Sequence, residues 1–453
     1  MPTATPIRPG FDLPPTAGLP LQFGDLLPAS LARMFGRAAP QPTLAGRDAP
    51  ALRAQQTGGR VDFEHALADF LGVSEVQVTC SGTAALVIAL TALARQTPDR
   101  RVVIVPAYTC PLVALAVKHC ALELRVCELL PDSLDMDPTA LACLCDHNTL
   151  AVIPTHMAGR IADVATACLH ARAVGAWVIE DAAQALGATV DGRSVGLLGD
   201  VGFFSLAVGK GLTMFEGGVL CTRHAHLRDS LRQVAKTVTP PRAGWELRRS
   251  IELLAYAAAY RPAGLRLAYG RPLRRDLARG DWIAAAGDEF DLDIPLHRPG
   301  HWRQSVARHA LARLPAFLAE AAQGAARWQA MLQQIPGVRM LDDAAGQGVW
   351  PVVLVLLPNQ VTRDAVLDRL WGSGYGLSLP FVHTLPDYTY LQGIVPAAGP
   401  DALPNARRLA SRMLAIGNSP WVTTDDREVV RGVLQACASA GSGRLLDPAG
   451  RGQ

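Results

Sequence analysis

Lys210 sits between two glycines in the stretch GFFSLAVGKGLTMFEGG, Gly202 to Gly218. Upstream, Asp181 closes the apolar run of VIEDAAQALGA, Val178 to Ala188. A lysine beside glycines can be approached closely by a flat ligand. A desolvated amine gives up its proton readily enough to attack a carbonyl. An aspartate at the end of a buried strand can face a ring nitrogen. Pyridoxal phosphate (PLP) is an electron sink only while that nitrogen stays protonated. The pair therefore fits a lysine holding PLP as a Schiff base, with Asp181 opposite the pyridine nitrogen. A solvated lysine and a helix-capping aspartate produce the same local pattern. A P-loop is excluded, because six residues separate Gly202 from Gly209 and Gly211 follows the lysine.

These residues need a scaffold, and the chain supplies an alternation of strands and helices. Val76–Cys80 reads as a strand, Ser81-Gly82-Thr83 as a turn, and Ala84–Leu93 as a helix. A strand, a small turn and a helix N-terminus make an anion cradle, although Ser and Thr before helices are also ordinary caps. Further strands are expected at Arg101–Pro106, Leu124–Leu130, Thr149–Pro154, Ala176–Asp181, Val201–Leu206 and Gly218–Thr222. Helices fall between most of them, as at Pro111–His119 and Ala162–Val174. That alternation argues an α/β fold with a largely parallel sheet covered on both faces. Asp181 then falls at the C-terminal end of its strand, where such sheets place ligands.

The 453 residues, 49% hydrophobic, suffice for a large core and two or three domains. A net charge of +3 gives no nucleic-acid footprint. The nine cysteines lack zinc spacing and read as reduced core residues of a cytoplasmic protein, with no metal site. No signal peptide and no spanning helix is expected. The expected organisation is an arm at 1–60 with a short helix at Asp25–Phe35, a large domain at 61–236, an insertion at 237–299, a small C-terminal domain at 300–439 and a disordered tail at 440–453. A helix is expected at Val61–Leu71, and further ones at Gln304–Ile335 (broken at Pro315), Leu403–Leu414 and Thr424–Ala438. Between Arg242 and Arg279 stand nine arginines against three acids, with aromatic and aliphatic residues between them. This segment reads either as helices packed on the body with solvated arginines, or as a contact for an anionic membrane surface or a partner.

Taken in order, FEHALADFLGV, VTCSGTAAL, VIVPAYTC, AVIPTHMAGRIAD, VIEDAAQALGA, VGLLGDVGFFSLAVGKGLTMFEGG, WRQSVARHALARL and LPNARRLASRMLAIGNSP resemble the DegT/DnrJ/EryC1/StrS aminotransferases. The resemblance covers roughly 60–235 and 300–437. It implies a fold-type-I PLP-dependent transferase with a smaller α+β C-terminal domain, acting as a homodimer. It implies amino transfer, with glutamate as the expected donor, to a keto sugar that is usually nucleotide-linked. Lys210 would be the Schiff-base lysine and proton shuttle, and Asp181 would hold the pyridinium. Gln184 would lie near the ring hydroxyl. Gly82, Thr83 and Ser205 would bind the phosphate. Lys210 also separates the chain from the family's dehydratase branch, which carries histidine there.

Three departures bear on the substrate. Cys110 stands where the family has an aromatic stacked on the ring, with Tyr108 two residues away. His301 stands where an asparagine reaches the neighbouring subunit's phosphate. The segment 237–299 replaces a short link. His383 resembles a substrate-side histidine of the family, and an ordinary loop histidine fits equally. Two alternatives stay open: a PLP enzyme that is a lyase or takes a non-nucleotide substrate, and a non-catalytic, membrane-docked scaffold with this fold.

Overall fold

The computed structural model describes residues 7–8, 10–27, 62–341 and 346–443. A seven-stranded sheet forms the centre. Its strands are β1 (Val76–Thr79), β2 (Val102–Pro106), β3 (Glu123–Cys127), β4 (Thr149–Val152), β5 (Trp177–Asp181), β8 (Val201–Ser205) and β9 (Gly218–Cys221). A two-stranded hairpin, β6 (Thr189–Val190) and β7 (Arg193–Ser194), lies between β5 and β8 in the chain. The order across the large sheet is β1-β9-β8-β5-β4-β2-β3, and β9 alone runs against the rest. Both faces are covered. Along β2, Val103 and Val105 enter one apolar cluster, while Val102 and Ile104 enter another on the opposite side.

Sequence signals account for many boundaries. The side chains of Asp62, Ser81, Asp163 and Asn359 each cap a helix by accepting a backbone N–H three residues on. Pro111, Pro138 and Pro404 occupy first helical positions, where the missing N–H costs nothing. The expected long helix is two, His301–Leu311 and Leu314–Leu332, with Pro315 in the first turn of the second.

A second sheet carries β10 (Arg339–Met340), β11 (Val352–Leu356), β12 (Leu377–Ser378) and β13 (Met413–Gly417). Its order is β10-β11-β13-β12, all antiparallel. The helices Leu314–Leu332, Gln360–Leu370 and Thr424–Gly443 pack against it around the buried Trp328. The smaller α+β unit is therefore present, with two corrections. The helix expected at Leu403–Leu414 ends at Arg412, because the apolar run Met413–Gly417 fills the middle of this sheet. Residues 440–443, expected in a disordered tail, continue the last helix to Gly443. Only Phe23–Leu26 is helical near the expected helix at Asp25–Phe35; residues 28–35 lie outside the described residues, as do 444–453.

Where it is described, the start of the chain packs on the body, as an arm would. Leu13, Ala17, Leu19 and Leu21 are buried. Gly18 N–H donates to Tyr260 Oη at 2.7 Å, Leu19 N–H to Gly211 O at 2.8 Å, and Leu13 N–H to Gly374 O at 2.8 Å. The segment 237–299 is helical at Ala243–Ala259, Pro262–Leu265, Arg271–Ala278 and Trp282–Ala286. Several of its arginines are structural and not solvated. Arg274 pairs with Asp12 at 2.9 Å, and Arg249 pairs with Glu216 and Glu252 while lying over Trp245. Among the described residues no helix is long and apolar enough to cross a membrane.

Arg303 fastens this segment to the lysine loop. It is fully buried, grips Glu246 with two bonds (2.8 and 2.6 Å), and donates to the carbonyls of Met214 and Glu216. Removing one partner of such a pair strands the other charge and two carbonyls. Arg303→Ala is expected to lower unfolding stability by about 3 kcal/mol in chemical denaturation, with Arg303→Lys recovering only part because it cannot bind bidentately.

Candidate active site

β1, β2, β5 and β8 run in one direction, so their C-terminal ends share one edge of the sheet. Asp181 is the last residue of β5 and Ser205 the last of β8. Gly82 and Thr83 open the helix that follows β1, and Cys110 caps the helix that follows β2. The topology alone gathers these side chains.

Lys210 follows β8 on a turn made by two glycines in the left-handed region, Gly209 (φ 77°) and Gly211 (φ 76°). A Cβ on Gly209 would lie 2.1 Å from Thr16 Oγ1, so the N-terminal segment presses directly on this turn. Lys210 keeps part of its surface open, yet burial holds its amine below the usual lysine range. Cys110 and Asp181 oppose that shift from nearby. Asp181 is 4% exposed, and burial raises its carboxyl against the Ala183 N–H bond and the lysine charge. Its Oδ1 accepts Ala183 N–H at 3.0 Å, and no described residue donates to Oδ2. An amine whose hold on its proton is weakened by burial has the Asp181 carboxyl as a charged neighbour, an arrangement suited to carbonyl capture and pyridinium binding.

The expected strand, turn and helix N-terminus are present at Val76–Thr79, Ser81 and Gly82–Gln96. Ser81 Oγ accepts Ala84 N–H at 3.0 Å, and Ala85 N–H starts the helical ladder. The N–H groups of Gly82 and Thr83 remain for an anion, aided by the dipole of a fifteen-residue helix. Ser205 closes the cradle: a Cβ on Gly82 would lie 3.1 Å from Ser205 Cβ. Gly218, paired with both Thr79 and Ser205, lets the turn approach, since its Cβ would lie 2.3 Å from Ser81 O. These groups fit PLP: a cradle for its phosphate, an unused carboxylate oxygen for its nitrogen, and a desolvated amine.

The remaining expected residues divide. Gln184 is held through Oε1 by Ala158 N–H, which leaves its amide NH2 to donate. Cys110 has Lys210, Asp181 and Asp288 as charged neighbours, and burial pushes its thiol up to about 12, so it meets a ligand as a neutral thiol. Tyr108 is buried, and its hydroxyl exchanges both its bonds with the backbone of Phe381 (2.8 and 3.0 Å), so it is committed to the small domain. His383 is half-buried with its ring edge-on to Tyr388, and burial lowers its pKa. His301 is exposed at the start of its helix and forms no hydrogen bond with the other site residues of its own chain.

Three residues that the sequence did not single out support the site. Glu180 is completely buried and accepts four bonds, from His156 Nε2 (3.0 Å) and the N–H groups of Gly196 (2.8 Å), Leu198 (2.6 Å) and Gly199 (2.6 Å). Ala162 N–H donates to His156 Nδ1, so the proton of that ring sits on Nε2. A charged residue inside the apolar run VIED was the available signal. The third, Asp288, is 2% exposed, with burial pushing its carboxyl up to about 6. Nothing in its acidic surroundings marks it out in sequence.

Residues 53–246 match the DegT/DnrJ/EryC1/StrS aminotransferase family. Protein MosB of Rhizobium meliloti is 39% identical over 184 residues, covering 40% of this chain and 36% of its own. GDP-perosamine synthase of Caulobacter vibrioides is 35% identical over 186 residues, covering 41% and 50%. The matched stretch thus spans half or less of either relative. Among solved structures, DesI in the presence of its TDP-sugar product aligns over 98% of this chain and 97% of its own, with a TM-score of 0.68 and 22% identity. The fold is that of fold-type-I PLP-dependent transferases. Over residues 53–246 the chain is thus similar to the DegT/DnrJ/EryC1/StrS aminotransferases, a family whose members depend on pyridoxal phosphate.

Proposed function

We propose that the protein is a PLP-dependent aminotransferase that carries an amino group, with glutamate as donor, to a keto group of a nucleotide-linked sugar. The desolvated Lys210 amine facing Asp181 carries this reading. The likeness to a GDP-perosamine synthase supports the substrate class. When bound, PLP supplies the carbonyl that exchanges amines and the ring that takes up electrons. Gly82, Thr83 and Ser205 hold its phosphate. Asp181 Oδ2 keeps the ring nitrogen protonated, and Gln184 NH2 donates toward the ring hydroxyl. Lys210 Nζ, whose hold on a proton is weakened by burial, takes and returns the substrate's proton. The thiol of Cys110 would stand where the resemblance places a stacking aromatic.

We also propose a homodimer. His301 is exposed in the single chain, at the position where the family resemblance implies a contact with a second subunit. The exposed face Leu247 (64%), Ile251 (57%) and Leu254 (47%) recurs at helical spacing beside the exposed Arg248. It fits an anionic membrane surface.

Purified protein is expected to show a visible absorbance band that glutamate bleaches, and Lys210→Ala to lack that response. A colourless protein that cannot be reconstituted with PLP would overturn the assignment. Asp181→Asn is expected to bind PLP yet lower the rate of the glutamate-driven change by about a thousandfold, measured by stopped-flow absorbance. Light scattering is expected to give a dimer. Sedimentation with anionic vesicles is expected to fall as salt rises, and salt-independent binding would reject the electrostatic contact.

A further inference from the structure

The segment 237–299 contributes one residue to the working side of the molecule. Asp288 Oδ2 accepts Val382 N–H at 2.7 Å and Tyr388 O–H at 2.7 Å. Tyr388 Oη in turn accepts the N–H groups of Val382 (3.1 Å) and His383 (3.2 Å). Tyr390 O–H donates to the backbone carbonyl of Asp288. From the opposite side Tyr108 takes both backbone groups of Phe381. Three consecutive N–H groups, of residues 381, 382 and 383, therefore end on side chains and not on a neighbouring strand.

A backbone held this way is held only as firmly as its side-chain partners. Those partners come from three places: the loop after β2, the segment 237–299, and the turn at Tyr388. The bracket also reaches the cofactor side. Tyr108 lies two residues before Cys110, and Cys110 has Lys210, Asp181 and Asp288 as its charged neighbours. The bracketed stretch carries His383, whose ring stands 5.3 Å from that of Tyr388.

We propose that Asp288 is a positioning residue for the substrate-facing stretch Phe381–Thr384. It fixes that backbone, and with it His383, relative to Cys110 and Lys210. What the stretch then contacts rests on the aminotransferase reading above; the bracket itself does not. Asp288 belongs to the segment 237–299, so that segment takes part in setting the substrate side. Small displacements of a binding group cost rate steeply, so a residue that never touches substrate can govern how it sits.

The test uses the full-length protein loaded with PLP, as Asp288→Ala, Asp288→Asn and Tyr388→Phe. Amide hydrogen exchange over 380–388 and the glutamate dependence of the visible band are the readouts. Asp288→Ala is expected to speed exchange of the Val382 and His383 amides by about tenfold and to raise the half-saturating glutamate concentration by about tenfold, with the limiting rate within about threefold of wild type. Asp288→Asn keeps a carbonyl oxygen for both bonds and is expected to restore both. Unchanged exchange in the alanine variant overturns the proposal. So does faster exchange with an unmoved half-saturation, which marks the bracket as structural only, or an asparagine variant as impaired as alanine. Should the alanine variant fail to fold, Tyr388→Phe removes one hydroxyl without changing the ring and carries the same two readouts. A wild-type band that ignores glutamate would count against the donor in the aminotransferase reading alone. Exchange would then be read together with the band maximum: a shift in alanine reversed in asparagine supports the bracket, and no shift overturns it.

Discussion

Two neighbouring carboxylates end β5, and the strand's alternation sends them to opposite faces. Glu180 is sealed in and accepts four N–H bonds; Asp181 accepts one from the protein at Oδ1. A buried carboxylate with that many donors is a fixed peg, while its neighbour keeps an oxygen for something else. The peg holds His156 and the turn at 196–199, and His156 N–H bonds the carbonyl of Asp181. If Glu180 were loosened, the end of β5 would lose its anchor, and Asp181 could no longer hold a fixed distance from Lys210. The electrostatics of the site thus depend on a residue with no direct part in it.

Around this peg the site is built from close approaches more than from charge. Gly82 against Ser205, Gly218 against Ser81, and Gly209 against Thr16 are contacts that a methyl group would break or strain. The formal charges at the centre are few, Lys210 and Asp181, and burial pushes each toward neutrality. Such a site gives a ligand's own charges much of the electrostatic say, in a medium that amplifies them.

The cofactor end was legible from sequence because its chemistry is local. A strand, a turn and a helix cap are written in adjacent residues, so Ser81–Thr83, Asp181 and Lys210 could be placed before any coordinates. What was hidden depends on contacts distant in the chain. Glu180 looked like part of an apolar strand because its donors lie in the chain at 156 and 196–199. Asp288 sat in a plain acidic patch because its partners are near 382–390. Met413 and Leu414, the first two residues of β13, fell within the expected helix because apolar residues suit either structure, and only the strand's place between β11 and β12 decides. The arginines of 242–279 looked solvated because Asp12 and Glu216, which capture two of them, are far away in sequence.

The N-terminal segment has a bearing on how the molecule comes into being. Residues 8–19 are synthesised early, yet Arg8 pairs with Asp426, Leu13 bonds to Gly374, Ala17 to Pro351, and Gly18 to Tyr260. Each of those partners leaves the ribosome hundreds of residues later. Those contacts form only once their partners at 260, 351, 374 and 426 have been made, so the segment docks in stages onto a body already partly assembled. Closing such distant contacts is the slow class of folding event. Because Thr16 is what Gly209 leans on, the lysine turn takes its final shape only with that docking. On the nascent chain, emergence of the lysine is thus not enough to shape its turn, which also needs the segment around Thr16 to dock.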